Sequence, residues 1–265
     1  IDKEIVIMAH LCHPCMVDDG LSGVAALVSI AKNFLSRPKN RYSYRFLILP
    51  ETIGSITYLS HNEHLIDKME FGIFLEMLGH DDIFSLQKSK QDTTLIDKAA
   101  EICLKESNSK FRLGKFRTVI KNDEKVLNGP GVNVPTISIS RSKFRSIYKW
   151  PYPQYHSSAD TPDIISIERI KEAENIIINI LEILDKNYCP KAKVKGPIFL
   201  TRYGMWIDNK ELSGKMQHVS NYLHDGQKSL IEIAYELDLS YKILEEWLDK
   251  FFEHNLIEKR DVLCR

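Results

Sequence analysis

Short apolar runs alternate with stretches of helical spacing along most of the chain. The run Ile5-Val6-Ile7-Met8-Ala9 is too short for a stable helix and rich in β-branched residues, which predicts a strand buried on both faces. It leads through a loop into Val24-Ala25-Ala26-Leu27-Val28, predicting a helix to about residue 35 that stops before Pro38. Tyr44-Arg45-Phe46-Leu47-Ile48-Leu49 predicts a second buried strand, followed by a short helix over 54–62, and Phe71-Gly72-Ile73-Phe74-Leu75 predicts a third strand. An edge strand is expected at 83–87. A helix is expected over 92–105, where Leu95, Ile96, Ala99, Ala100, Cys103 and Leu104 recur at helical spacing. Residues 108–133 read as irregular, Val134-Pro135-Thr136-Ile137-Ser138-Ile139 as a fourth strand, 148–162 as a proline- and tyrosine-rich loop, and 166–185 as an amphipathic helix. Strands alternating with helices run parallel in most folds, so the expected class is α/β, a mostly parallel sheet flanked by helices.

The polar residues that interrupt this pattern are not scattered. In Ala9-His10-Leu11-Cys12-His13-Pro14-Cys15-Met16-Val17-Asp18-Asp19-Gly20-Leu21-Ser22-Gly23, two histidines and two aspartates crowd into a strand-to-helix loop. Glu51 follows the second strand, Glu76 the third, and His156 lies in the long loop after the fourth. In an open parallel sheet the carboxyl ends of the strands share one edge, where ligands bind, so these residues are expected to converge. His13, Asp19, Glu76 and His156 are nitrogen and oxygen donors of the kind a hydrolytic zinc site needs, and Glu51 is a carboxylate free to take a proton from water. Any one of them alone would more simply be a solvated or capped group; the inference rests on the set. Cys12 and Cys15 flank His13 without a second such pair, which makes a zinc knuckle weak and buried apolar thiols the simpler expectation. Phe116-Arg117 and Asn122-Asp123-Glu124 either bind one end of a substrate or tie down an irregular loop, and Trp150, Tyr152 and Tyr155 either wall a pocket or pack their own loop.

Composition narrows the partners. Lys+Arg and Asp+Glu stand at 36 each among 265 residues, so no net field points to nucleic acid or an anionic membrane. Five irregularly spaced cysteines, no run long enough to span a bilayer and no signal-peptide pattern give a cytoplasmic expectation. The chain opens almost directly on a buried strand without methionine, and reads as part of something longer.

The motifs also resemble a known group. Asp19-Gly20-Leu21-Ser22-Gly23 is similar to the bridging-aspartate motif of the co-catalytic zinc aminopeptidases, which include the glutaminyl cyclases. Leu75-Glu76-Met77-Leu78-Gly79 resembles their acidic metal motif, and Tyr155-His156-Ser157-Ser158-Ala159-Asp160-Thr161 their last-histidine motif. More closely, Cys12-His13-Pro14, Pro50-Glu51-Thr52-Ile53-Gly54-Ser55, Asn122-Asp123-Glu124 and Tyr155-His156-Ser157-Ser158 resemble a bacterial aminopeptidase-like family of unknown function, associated with polysaccharide biosynthesis and carrying a C-terminal winged helix. The resemblance implies a zinc-exopeptidase-like fold, Asp19 as bridging ligand, His13 and Glu76 on one metal, His156 on the other, and Glu51 as general base. Two departures stand out. Thr52 occupies the place of a second, metal-binding glutamate, and cysteine replaces aspartate in the first histidine motif, whether that is His10-Leu11-Cys12 or His13-Pro14-Cys15. His13 is the favoured ligand with His10 the alternative, and one tight zinc site beside a weak or empty one is expected.

Residues 1–195 are therefore expected to form the aminopeptidase-like domain, with a lysine-rich linker at 191–195 and a winged-helix-like domain over 196–265. That second segment reads as an extended stretch at 199–207, three helices over 212–223, 230–237 and 241–254, and a short strand. Residues 197–265 carry nine Lys/Arg against twelve Asp/Glu, which disfavours phosphate binding and favours packing, self-association or protein contact. The functional expectation is a zinc-dependent hydrolase of small peptide or amide substrates, using metal-activated water with Glu51 as base. The alternatives are a mononuclear zinc cyclase or acyltransferase, and a metal-stabilised binding protein that has lost turnover.

Overall fold

Residues 3–37 and 40–262 are described by a computed structural model of the chain, so Pro38, and Cys264 among the five cysteines, lie outside the described residues. The chain divides into two units, Ile1–Leu181 and Glu182–Arg265.

The first unit is built on a six-stranded sheet. Strand β1 (Glu4–His10) is buried along its whole length, with Ile5, Val6 and Ile7 fully inaccessible, each contributing about 1.5–3 kcal/mol of apolar burial. It continues through a turn at Val17–Leu21 into helix α1 (Ser22–Leu35), then β2 (Ser43–Leu49), α2 (Ile53–His61), β3 (Met69–Leu75), β4 (Phe84–Gln87), α3 (Leu95–Glu106), β5 (Phe111–Gly114), the single turn α4 (Glu124–Leu127), β6 (Thr136–Ser140) and α5 (Ile167–Lys186), the last residues of which belong to the second unit. The spatial order is β2-β1-β3-β6-β4-β5. β1 runs parallel to β2 and β3, and β3 parallel to β6, so the four strands that carry the candidate residues all point the same way.

Three details differ from the sequence expectation. β2 is an edge strand, only partly buried, because no strand pairs beyond it in the sheet order; its apolar run faces cover on one side only. β4, expected at the edge, is fully buried between β6 and β5 and antiparallel to β6. The edge is taken instead by β5, from the segment read as irregular: four residues are too few to show a period of two.

The second unit holds β7 (Cys189–Ala192), α6 (Lys210–Asp225), α7 (Leu230–Leu237), α8 (Tyr241–Glu253) and β8 (Ile257–Arg260). β7 pairs antiparallel with β8, so the start of the lysine-rich linker is a strand. The stretch expected to be extended contains a 3-10 turn at Leu200–Tyr203 closed by Gly204 in the left-handed region. Ser229 caps α7 in a reciprocal box with Glu232, and Ser240 caps α8. Leu230, Ile231, Ile233, Leu244, Leu248 and Phe251 are essentially inaccessible and form the apolar side of these two helices. No helix among the described residues is long and apolar enough to cross a membrane.

Candidate metal centre

Each functional side chain is delivered by a strand end or by the turn that follows it. His10 is the last residue of β1 and almost fully buried. Asp19 sits in the turn before α1, where Gly20 adopts φ 115°. A Cβ at Gly20 would lie 3.1 Å from the His10 carbonyl oxygen, and one at Gly23 would lie 2.4 Å from that of Leu75, so the ligand loop meets the ends of β1 and β3 through glycine. Glu76 follows β3 and is inaccessible.

Asp160 holds the loop from the other side. Its carboxylate accepts the Asp18 N–H at 2.9 Å, the Asp19 N–H at 3.2 Å and the Tyr152 hydroxyl at 2.7 Å. Asp18 in turn accepts from Gly79 N–H at 2.7 Å and lies 2.5 Å from His80 Nδ1. The Asp160→Ala variant is expected to lose about 3 kcal/mol or more in urea unfolding, since two backbone donors and a phenol would be left buried without an acceptor. His156 is exposed, at φ 53°, with its ring stacked on Tyr155 at 3.8 Å and 4.9 Å from the ring of His13. Tyr152 is buried within the same loop, so the aromatic residues pack that loop as well as border the site.

Glu51 stands before a strained turn. Thr52 has φ 61° and ψ −55°, and the Ile53 N–H donates to the Glu51 carbonyl at 2.6 Å, a tight three-residue turn of positive φ that is rare for a β-branched residue. Asp123 stabilises it, accepting the Thr52 N–H at 2.9 Å and the Ser55 hydroxyl at 2.5 Å. Strain of this kind costs about 1–3 kcal/mol and concentrates at functional sites. Asn122 Nδ2 donates to Glu76, while Glu124 accepts from Asn122 N–H and Gln87. Asn122-Asp123-Glu124 thus tie down the loop and orient site residues. The sequence showed the cluster; only the fold showed its targets.

Donor atoms gather in two groups that share one residue. Those of His10, Asp19 and Glu76 lie within 4.8 Å of one another, all buried, and so do those of His13, Asp19 and His156. Asp19 Oδ1 is 3.4 Å from His10 Nε2, and Asp19 Oδ2 is 3.0 Å from His156 Nε2. His10 Nε2 is also 3.3 Å from Glu76 Oε2. A third group, His10, Cys12 and His13, adjoins them. Glu51 belongs to none of the three among the described residues, although its Oε2 is 3.7 Å from His13 Nε2. The structure therefore brings together all five expected residues and adds His10. Its grouping sets His10, not His13, beside Glu76, because His10 still belongs to β1 and points into the sheet end while His13 lies three residues out along the loop. Cys12 and Cys15, expected to be buried, are exposed for the same reason.

The residues fit a divalent cation. His10 Nε2, Asp19 Oδ2 and Glu76 Oε1 are buried without a hydrogen bond, and His10 Nε2 and Asp19 Oδ2 each have an oppositely charged neighbour at ion-pair distance. Without a metal the cluster takes up protons instead. Burial alone disfavours a charged His10 ring, but Asp19, Glu76 and, less strongly, Cys12 outweigh it and raise the pKa to about 11. Burial, opposed by His10 and helped by Asp19 and Glu124, pushes Glu76 up to about 8. In the metal-free protein the coupled His10–Glu76 pair thus holds more protons in the folded state than in the unfolded chain, in the windows above the ordinary values of a carboxylate and an imidazole. Stability must fall as pH rises through these windows. Chelator-treated protein is expected to be about 2 kcal/mol or more less stable in urea at pH 9 than at pH 6. Added zinc should displace these protons and restore more stability at pH 9 than at pH 6.

A family model described as a domain of unknown function (DUF4910) matches residues 1–187. A protein of Clostridium acetobutylicum named "Putative polysaccharide biosynthesis protein with aminopeptidase-like domain" is 29% identical over 267 residues, covering 97% of this chain and 59% of that protein. The crystal structure of a "putative peptidase" from the same organism gives a TM-score of 0.84 at 29% identity, over 98% of this chain and 58% of that one. This chain spans somewhat over half the length of these relatives. A zinc aminopeptidase from Bacillus subtilis gives a TM-score of 0.59 at 17% identity, covering 69% of this chain and 46% of its own. Glutaminyl cyclase from Porphyromonas gingivalis gives 0.57 at 21%, covering 69% and 72%. At these two identities the likeness is one of fold, the mostly parallel six-stranded sheet flanked by helices described above.

Proposed function

The chain belongs to the DUF4910 family, which carries no assigned activity, and from its site we propose a zinc-dependent hydrolase of peptide or amide bonds, of aminopeptidase type. The observation that carries this reading is the shared carboxylate: Asp19 joins two three-residue donor groups, with Glu51 near one of them and a member of neither. His10, Asp19 and Glu76 would hold one zinc ion, and His13, Asp19 and His156 a second. His13 would supply to the second group the donor that is missing where Thr52 replaces glutamate. Zinc bound in such sites supplies Lewis acidity and makes water nucleophilic near neutral pH.

The chain's own residues do the rest. Glu51 is only partly buried, so its carboxylate is open to a water proton, which it accepts and then passes to the leaving amine. The turn at Thr52, fastened by Asp123, keeps that carboxylate at the rim. Buried His10, Glu76 and Asp19 exclude bulk water from one side of the site, and exposed His156 borders the side from which substrate enters.

Metal analysis of protein purified without chelator, together with hydrolysis of a panel of aminoacyl arylamides, tests the proposal. Two zinc ions per chain and release of the arylamine are expected. One ion with activity would return the second site to the weak state that Thr52 suggests. No metal after zinc is supplied would remove the hydrolase reading.

A further inference from the structure

One backbone N–H and two imidazole nitrogens converge on one sulfur atom. Cys12 Sγ accepts the Glu51 backbone N–H at 3.2 Å and lies 3.6 Å from His13 Nδ1 and 3.8 Å from His10 Nδ1. Among the described residues no other side chain is bonded to either Nδ1 atom. The two rings stand nearly perpendicular, at 85°, with centroids 5.2 Å apart. A neutral imidazole carries one ring proton, and the nitrogen opposite that proton presents the lone pair. The Nε2 atoms are the ones turned toward carboxylates, that of His10 toward Asp19 and Glu76 and that of His13 toward Glu51. Protons on both Nδ1 atoms therefore leave both Nε2 atoms ready to bind metal, and an acceptor beside Nδ1 favours that tautomer.

We infer that Cys12 is a positioning residue for both metal sites. Its sulfur takes the Nδ1–H of His10 and of His13, sets their tautomers and ring orientations together, and holds the backbone of Glu51 to the same point. This rests on the metal-centre reading above. It extends that reading by making the two sites depend on one atom, and it gives a role to the cysteine that replaces aspartate in His10-Leu11-Cys12.

Zinc affinity measured by competition with a chromophoric chelator, on the full chain, separates the possibilities. Cys12→Ala is expected to weaken zinc binding at both sites about 10–100-fold. Cys12→Asp, whose carboxylate can accept two ring protons, is expected to recover most of the loss. The unfolding midpoint of the metal-free variants serves as the folding control. Nitrogen-15 NMR of the metal-free protein should show the Nδ1–H tautomer for the neutral His13 ring in the parent chain and mixed tautomers in Cys12→Ala. Unchanged affinity in Cys12→Ala overturns the inference while leaving the metal centre standing. A sulfur-to-metal charge-transfer band in the cobalt-substituted chain also overturns it, by making Cys12 a ligand. A parent chain that binds no zinc overturns the metal centre and the inference with it.

Discussion

Glu51→Gln is expected to lower kcat on an aminoacyl arylamide by about 10³-fold while leaving zinc content and urea stability close to those of the parent chain. The substitution keeps the shape of the side chain and removes only its ability to accept a proton. Because Glu51 lies outside all three donor groups, its loss as a base should not cost a metal. The 3.7 Å approach of Glu51 to His13 Nε2 makes this a demanding test, because a direct ligand role would appear as the loss of one zinc ion with the activity. Unchanged kcat would show that another group takes the proton. A structural role alone would show as lower stability with activity per folded molecule preserved.

Removal of both metals is the expected result of Asp19→Ala. One oxygen of Asp19 faces His10 and the other faces His156, so its deletion takes a ligand from each group at once. Zinc affinity should fall by well over ~10²-fold at both sites, more than the loss expected from an outer partner of a ligand. His156→Ala, which touches only the second group, should leave one zinc ion bound at His10, Asp19 and Glu76. Metal analysis after dialysis against weak chelator distinguishes the two. Retention of one ion by the Asp19 variant would mean that the two groups are independent and the shared carboxylate is incidental. Comparison with His156→Ala is informative because His156 is exposed while Asp19 is buried, so the two differ in folding cost.

The apolar runs of β1, β3 and β6 and the helical spacing of α1, α3 and α5 are visible in the sequence because those elements are long or fully covered, and full cover requires uninterrupted apolar residues. The same local logic set carboxylates and histidines after successive strands. It failed where an element was short or its neighbour came from far away. β5 and α4 have four residues each, and the position of β4 depends on antiparallel pairing with β6, about fifty residues later. The exposure of Cys12 and Cys15 is not encoded locally, because burial of a thiol in a loop depends on what covers the loop.

The candidate site shows the same division. Asp19, Glu51, Glu76, His13 and His156 were legible because their residue types recur at strand ends and in ordered motifs. Sequence alone thus determined a mostly parallel α/β sheet and the inventory of donors at its edge, since strand direction and loop position follow from local pattern and short connections. Which histidine stands beside which carboxylate was decided only by the tertiary structure. His10 joins Glu76 because β1 and β3 are adjacent and in parallel register, and His13 meets His156 because two loops close over the same edge. Those distances arise from packing between segments remote along the chain, and no spacing within a single segment encodes them.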